Sequence, residues 1–462
     1  MRPPLVRSLL DPCRALLAAL AFGVFTGCLV PDALSAPVVV AALAPEPATT
    51  APMPSTDAVS VSASRAYERA RSQLVQIRTV VKGRGSQTSA GSGFFVSAAG
   101  HILTNFHVVS ETALEPQTHD LLYVTADGQE GRVDLLMIDV RHDLALLKVV
   151  DTPSQPFEAL TLRPAQEPLR QGERIVSLGV PLDVGFAIVE GLYNGLAERS
   201  FYPQIFFAGS LNSGMSGGPA LDQQGRVVGV NVARRSDGEQ VSFLVPAPFA
   251  RELLARGRDV APMQRSAYPE LSRQLLVHQE ELTQRFIEQG WRTATHARYS
   301  VPVPPDRFMR CWGSNQAAGD DGLSLESAKC SMDSDVFAGA FTTGSLSTRH
   351  ETYSAPGMGP WRFAALHSRS FANETFTRLS DAQMTAPQCH EDFLERQGLT
   401  LRAVVCLRAY RRLPALYDVS VLVATLDQPT AAVLARFDGE GLSHANALKL
   451  TRHYLSAFGR LP

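Results

Sequence analysis

Three residues of this sequence, His107, Asp143 and Ser216, are of the types that together turn an alcohol into a nucleophile. Each lies in a short segment of defined character: Thr104-Asn105-Phe106-His107-Val108-Val109, Arg141-His142-Asp143-Leu144, and Gly214-Met215-Ser216-Gly217-Gly218-Pro219. A serine hydroxyl attacks poorly at neutral pH unless an imidazole within about 2.6–3.2 Å takes its proton. The imidazole then carries charge, and a carboxylate on its other nitrogen fixes the tautomer and stabilises the cation. The glycines have a separate purpose. The backbone N–H groups of Gly214 and Ser216 are candidates for donating to an oxygen that turns negative during attack on a carbonyl, and one such donor is worth about 2.7–4 kcal/mol in the transition state. A side chain at 214 would obstruct that loop. The chemistry these residues could support is acyl transfer through a covalent serine ester.

Such residues need elements to position them. Between about 63 and 250, short apolar runs alternate with Gly, Asn and Asp turns: Gln73–Val81, Gly93–Val96, Ile102–Thr104, Leu121–Val124, Leu144–Val150, Arg174–Leu178, Gln204–Phe207, Arg226–Val232 and Val241–Val245. Many short strands at close spacing predict an all-β barrel or sandwich. Ser62 to Arg71 predicts a short leading helix. Over 251–290 a helical connector is expected, with Leu271, Leu275, Leu282 and Phe286 on one face, read as core or interdomain packing. From 291 to 462 the texture is that of an α+β domain with an antiparallel sheet. Strands are expected at Trp291–Val303, Arg307–Trp312, Phe337–Thr343, Trp361–Phe371, Leu399–Tyr410 and Tyr417–Leu426, and a final helix over Ser443–Phe458.

The catalytic-type segments resemble the HtrA (Deg) family of chymotrypsin-fold serine endopeptidases. That family typically shows GSGF…GxILTNxHVV, a D(L/I)ALLK-like strand and GNSGGPL; this sequence has Gly91-Ser-Gly-Phe, Gly100-His-Ile-Leu-Thr-Asn-Phe-His107-Val-Val, Asp143-Leu-Ala-Leu-Leu-Lys148 and Asn212-Ser-Gly-Met-Ser216-Gly-Gly-Pro. Gly179-Val-Pro-Leu, Glu190-Gly191, Gly225-Arg-Val-Val-Gly229 and Phe243-Leu-Val-Pro246 agree as well. The likeness covers about residues 65–248. It implies a pair of six-stranded barrels with His107 as general base, Asp143 orienting it, Ser216 as nucleophile, and Gly214 with Ser216 as the oxyanion hole. Ser210 stands six before the nucleophile, where chymotrypsin relatives place the base of the primary pocket. A neutral residue there implies a pocket for small or medium apolar side chains rather than for Arg or Lys. His101 and His142, near the motifs, are read as solvent-facing. Two departures stand out: Met215 replaces the usual Asn, and nothing after 250 resembles the PDZ domain that many of these proteins carry.

The first residues read as an export signal. Arg2, Arg7 and Arg14 precede the apolar run Ala15 to Gly27, too short for the roughly 20 residues of a membrane span. Phe25-Thr26-Gly27-Cys28 resembles the lipobox of bacterial lipoproteins, with Phe25 where Leu is usual, so residues 1–28 are expected to be a signal peptide ending at a lipid-modified Cys28. Cleavage after Ala36, or an uncleaved anchor, are the alternatives. Residues 29–62, rich in Ala, Pro, Val, Ser and Thr, read as a flexible linker. The remaining cysteines, Cys311, Cys330, Cys389 and Cys406, are even in number in an exported chain and suggest disulfides. Of three connectivities the sequential one is favoured, because each pair closes a short loop within β-like sequence; four free thiols are the alternative.

Of the 462 residues, 45% are hydrophobic and 19% charged, which excludes a long charged disordered chain. Lys and Arg number 43 against 45 Asp and Glu, a net charge of −2 that does not indicate a nucleic-acid binder. No metal-ligand spacing appears and no cofactor is implied. The reading is an exported, periplasmic, lipid-anchored serine endopeptidase acting on unfolded or exposed polypeptide segments. Its rivals are a catalytically silent binding module of the same fold and a combined protease and holdase. Oligomeric state is left open.

Overall fold

The computed structural model describes residues 59–460 apart from 152–154, 181–184, 233–240, 297–298, 306, 308, 318–321, 372–375, 377–379 and 381. The expected signal, lipobox and Cys28, and all but the last four residues of the expected linker, lie outside the described residues.

Helix α1 (Val61–Ala70) leads into the first closed barrel. Its strands are β1 (Leu74–Val81), β2 (Gln87–Phe95), β3 (His101–Thr104), β4 (His119–Thr125), β5 (Glu130–Asp139) and β6 (Leu144–Val149), in the order β1-β2-β3-β6-β5-β4. Helix α2 (Phe106–Leu114) follows β3 directly. The second closed barrel comprises β7 (Arg174–Gly179), β8 (Ala187–Leu196), β9 (Ile205–Ala208), β10 (Pro219–Leu221), β11 (Val227–Val232) and β12 (Ser242–Pro246), in the order β10-β11-β12-β9-β8-β7. The pair of six-stranded barrels that the resemblance implies is therefore present. Leu74, Phe94 and Leu103 of the first barrel bury against Leu178, Leu221 and Val230 of the second, so one apolar layer holds the two together.

The expected 251–290 connector is two helices, α3 (Ala247–Gly257) and α4 (Tyr268–Gln289). The apolar face of α4 is divided between two cores. Leu271 and Leu275 pack with the first barrel, whereas Leu282 and Phe286 pack with the C-terminal sheet. All four are buried to 1% exposure or less, so the helix acts as a shared beam between the two parts.

The C-terminal part is largely β-sheet. It contains β13 (Arg292–His296), β14 (Tyr299–Val303), β15 (Met309–Gln316), β16 (Ser324–Met332), β17 (Val336–Phe337), β18 (Thr342–Thr343), β19 (Leu346–Ser354), β20 (Gln388–Arg396), β21 (Leu399–Ala409), β22 (Tyr417–Thr425), β23 (Ala431–Leu442) and β24 (Gly459–Arg460). Seven form one antiparallel sheet, β15-β16-β19-β23-β22-β21-β20, covered by α4 and the final helix α6 (His444–Leu455), whose N-cap is Ser443. Both disulfides are the sequential pairs. Cys311 on edge strand β15 bonds Cys330 directly opposite on β16, and Cys389 on the other edge strand, β20, bonds Cys406 on β21. Each bridge fastens an outermost strand to its neighbour.

Three expectations for this part need correction. Trp291–Val303, read as one strand, is the antiparallel pair β13 and β14, Arg292 opposite Val303 and His296 opposite Tyr299. Trp361–Phe371, read as a strand, is helix α5 (Pro360–Ser370). Proline at its first position and the Phe363/His367 pair, four residues apart and both buried, give it a helical face, while Trp361 points out at 90% exposure. Phe337–Thr343, read as one strand, is the hairpin β17–β18, turned at Ala338–Phe341.

Candidate active site

The site is built where three chain segments meet. His107 is the second residue of α2, and Asp143 sits in the corner between β5 and β6 with φ +54°. Asp is among the few residues that tolerate that left-handed conformation. The corner is held from the helix. The Asp143 carbonyl accepts from Asn105 Nδ2 at 2.7 Å and from Phe106 N at 3.2 Å. Its carboxylate accepts from His107 N at 2.9 Å through Oδ1 and from His107 Nδ1 at 2.6 Å through Oδ2. One carboxylate thus satisfies an unpaired N–H in the first turn of α2 and orients the ring in the same stroke. A carboxylate only accepts, so Nδ1 carries the proton and Nε2 keeps the lone pair that a general base needs.

Ser216 follows a tight turn. Met215 N donates to Asn212 O at 3.1 Å, and Gly214, third residue of that turn, has φ +91°. A positive φ at this place makes a type II turn, which fixes the direction of the peptide carrying the Gly214 N–H. Glycine meets that requirement without strain. Met215, the departure from the family pattern, is fully buried. Its carbonyl accepts from Asn231 Nδ2 at 3.2 Å and from Gly218 N at 3.1 Å.

The turn is strapped to the first barrel by Ser92. The Ser92 hydroxyl donates to Gly214 O at 2.7 Å and accepts from Val180 N at 2.9 Å, while Ser92 N donates to Ser216 O at 2.8 Å. Close approach fixes the neighbours. A side chain on Gly91 would lie 2.5 Å from Val108 of α2 and 3.1 Å from Ser216 O, and one on Gly217 would collide with Ser92 O and Thr104 Oγ1. Ser216 is therefore lodged beside the start of the helix that carries His107, 5% exposed. On the other side Asn231 donates to Leu178 O at 2.9 Å and accepts from Ser177 Oγ at 2.8 Å.

The arrangement brings His107, Asp143, Gly214 and Ser216 into one place. Ser210 lies exposed just after β9. His101 and His142 are not solvent-facing. His101 is buried, bonded to Ser97 Oγ at 2.6 Å and Arg258 O at 2.9 Å, and burial pushes its pKa down. His142 bonds Asp139 at 2.8 Å and stacks on Phe249 with centroids 3.8 Å apart. Burial pushes Asp139 up, but the hydrogen bond and charge of His142 outweigh it and hold that carboxyl below the usual range. Ser92 and Asn231 escape sequence reasoning because their partners lie far along the chain; the only signal is that Ser92 falls within the Gly91-Ser-Gly-Phe motif and Asn231 within the apolar run Arg226–Val232. Among the described residues no cluster of His, Cys, Asp and Glu could hold a metal ion, and no helix is long and apolar enough to cross a membrane.

Residues 91–230 match the trypsin-like peptidase domain. The probable periplasmic serine endoprotease DegP-like of Pseudomonas fluorescens is 33% identical over 172 residues, covering 36% of this chain and 34% of that protein. Serine protease HTRA3 of Homo sapiens is 30% identical over 192 residues, covering 40% of this chain and 41% of its own. This segment is an HtrA-like, trypsin-like peptidase domain. The chain spans about a third of the length of the DegP-like relatives it matches. A serine endoprotease from Yersinia pestis, of known crystal structure, overlaps 43% of this chain and 67% of its own at a TM-score of 0.37 and 22% identity. The matched residues include Ser92, His107, Asp143, Gly214 and Ser216, and Asn231 follows directly after them.

Proposed function

We propose that this protein is an exported serine endopeptidase that cleaves polypeptides through an acyl-enzyme on Ser216. His107 takes the Ser216 proton during attack and returns it to the leaving amine. Asp143 holds the ring and stabilises the imidazolium. The N–H groups of Gly214 and Ser216 donate to the carbonyl oxygen as it becomes an oxyanion. Water activated by His107 then releases the second product. The observation that carries this reading is the double acceptance by Asp143 from His107 N and Nδ1, next to a turn whose Gly214 conformation is fixed. The names of the DegP-like relatives support a periplasmic location, and unfolded or exposed segments are the substrates the family likeness suggests. Attachment by lipid at Cys28 rests on the sequence of the leader.

Hydrolysis of casein by the purified protein tests the reading. The parent is expected to degrade it, and Ser216→Ala, folded by circular dichroism, is expected to leave it intact. A folded parent that binds casein without cutting it would contradict the proposal and favour the binding module.

A further inference from the structure

The β17–β18 hairpin belongs by sequence to the C-terminal part, yet it reaches the candidate active site. The ring of Phe337 meets His107 edge-on at 6.1 Å and 76°, and Phe106 at 6.1 Å and 67°. Val336 and Ala338 on either side are buried within the core of the first barrel. The hairpin is therefore docked on the peptidase rather than resting on it.

Its base is secured from two directions. His278 of α4 donates from Nε2 to Gly344 O at 2.8 Å and accepts at Nδ1 from Tyr202 of the second barrel at 2.8 Å. The Thr343 hydroxyl bonds Tyr410 OH at 2.7 Å, and Tyr410 donates to buried Asp418 at 2.6 Å, which Arg408 also contacts at 2.8 Å. These groups fix where Phe337 stands relative to His107.

A cleft of about 1020 Å³ opens beside the site between this hairpin and the second barrel. Phe337 and Thr342 line one side, Phe206, Phe243 and Val245 the other, and Asp143 is also on its wall. That volume is at the upper end of ordinary ligand pockets and suits several residues of extended polypeptide. Its wall joins Asp143 to Phe337, a residue from outside the peptidase domain whose ring also meets His107.

We propose that the hairpin is a wall of the substrate cleft and that Phe337 is a specificity-determining residue, selecting a bulky apolar side chain at the substrate position lying against His107. The occupant is a polypeptide segment, because Asp143 of the site argued to cut one and Phe337, which meets His107, both stand on the cleft wall; the inference rests on the peptidase reading. Aromatic packing of this kind rewards Leu or Phe over Gly or Asp in the substrate. A single apolar subsite contact discriminates by about 10–200-fold.

The test is a set of fluorogenic peptides that vary, one at a time, the three residues before the scissile bond. The parent is expected to prefer Leu or Phe over Gly or Asp at one position by at least about tenfold in kcat/KM. Phe337→Ala should flatten that preference to within about threefold, and Phe337→Leu should keep most of it. Reaction of each variant with a fluorophosphonate shows that its centre is assembled. A parent and Phe337→Ala that both react but share one preference would overturn this proposal alone. A folded parent that does not react would bring down the peptidase reading and this inference with it.

Discussion

Ser92 and Gly214 stand 122 residues apart in the chain, and the hydroxyl of one donates to the carbonyl of the other at 2.7 Å. That bond ties the first barrel to the turn that presents the candidate nucleophile. Removing it by Ser92→Ala leaves Gly214 O without its donor and Val180 N without its acceptor. A buried group left unsatisfied costs about 1–3 kcal/mol. We expect Ser92→Ala to lower stability by that order in urea unfolding and to reduce kcat more than it raises KM. Ser92→Thr, which keeps the hydroxyl, should recover part of both.

Asp143→Asn is isosteric but replaces one acceptor oxygen with a donor. His107 N and Nδ1 can no longer both be satisfied with the lone pair left on Nε2. The expected loss is about 10⁴-fold in kcat with the fold intact. Steady-state kinetics on a casein-derived peptide, with circular dichroism alongside, measures it. A loss below tenfold would mean that Asp143 does not set the ring's tautomer.

Both disulfides fasten edge strands, with sequence separations of 19 and 17. Closing loops of that size stabilises by about 3 kcal/mol each on the chain-entropy account. Reduction should therefore lower the melting temperature of the C-terminal sheet. The barrels contain none of these four cysteines, so Cys389→Ala/Cys406→Ala should unfold the sheet at lower temperature than the barrels in calorimetry.

His278 links the peptidase to the hairpin and is almost wholly buried, and burial lowers its pKa below the ordinary 6.5. In the unfolded chain it binds a proton more readily than in the folded one. Its contribution is thus complete above about pH 6.5 and is lost as pH falls toward the lowered folded value. The parent should lose stability between pH 7 and pH 5, and His278→Gln should show a shallower slope over the same range. Thermal melts at half-unit steps decide it. His101, His367 and His453 are shifted the same way, so the slope should flatten but not vanish.

Much of the barrel pair is legible in the sequence because apolar runs bounded by turns have few other outcomes. The strands that escape it do so for physical reasons. In β5, Arg132 and Asp134 interrupt the apolar run; in β8, Gly191 and Gly195 do; and β10 is three residues long and starts at Pro219. The helical apolar stripe of α4 is plain from spacing, but that its two halves serve different cores is not, since periodicity gives a face and not its partner. His101 and His142 read as solvent-facing near the motifs, whereas Ser97, Arg258, Asp139 and Phe249 supply partners that hold both rings in from solvent. The types and spacing of His107, Asp143 and Ser216 announce the site. The approach of Phe337 to it depends on a hairpin docking 230 residues beyond His107, which no local pattern encodes.

The most direct measurement of the central claim is the intact mass of the purified protein after reaction with a fluorophosphonate, with peptide mapping of the modified residue. The expected result is one adduct, on Ser216, absent from Ser216→Ala and strongly slowed in His107→Ala. An unmodified, folded parent, or an adduct on another serine, would contradict the assignment of Ser216 as an activated nucleophile.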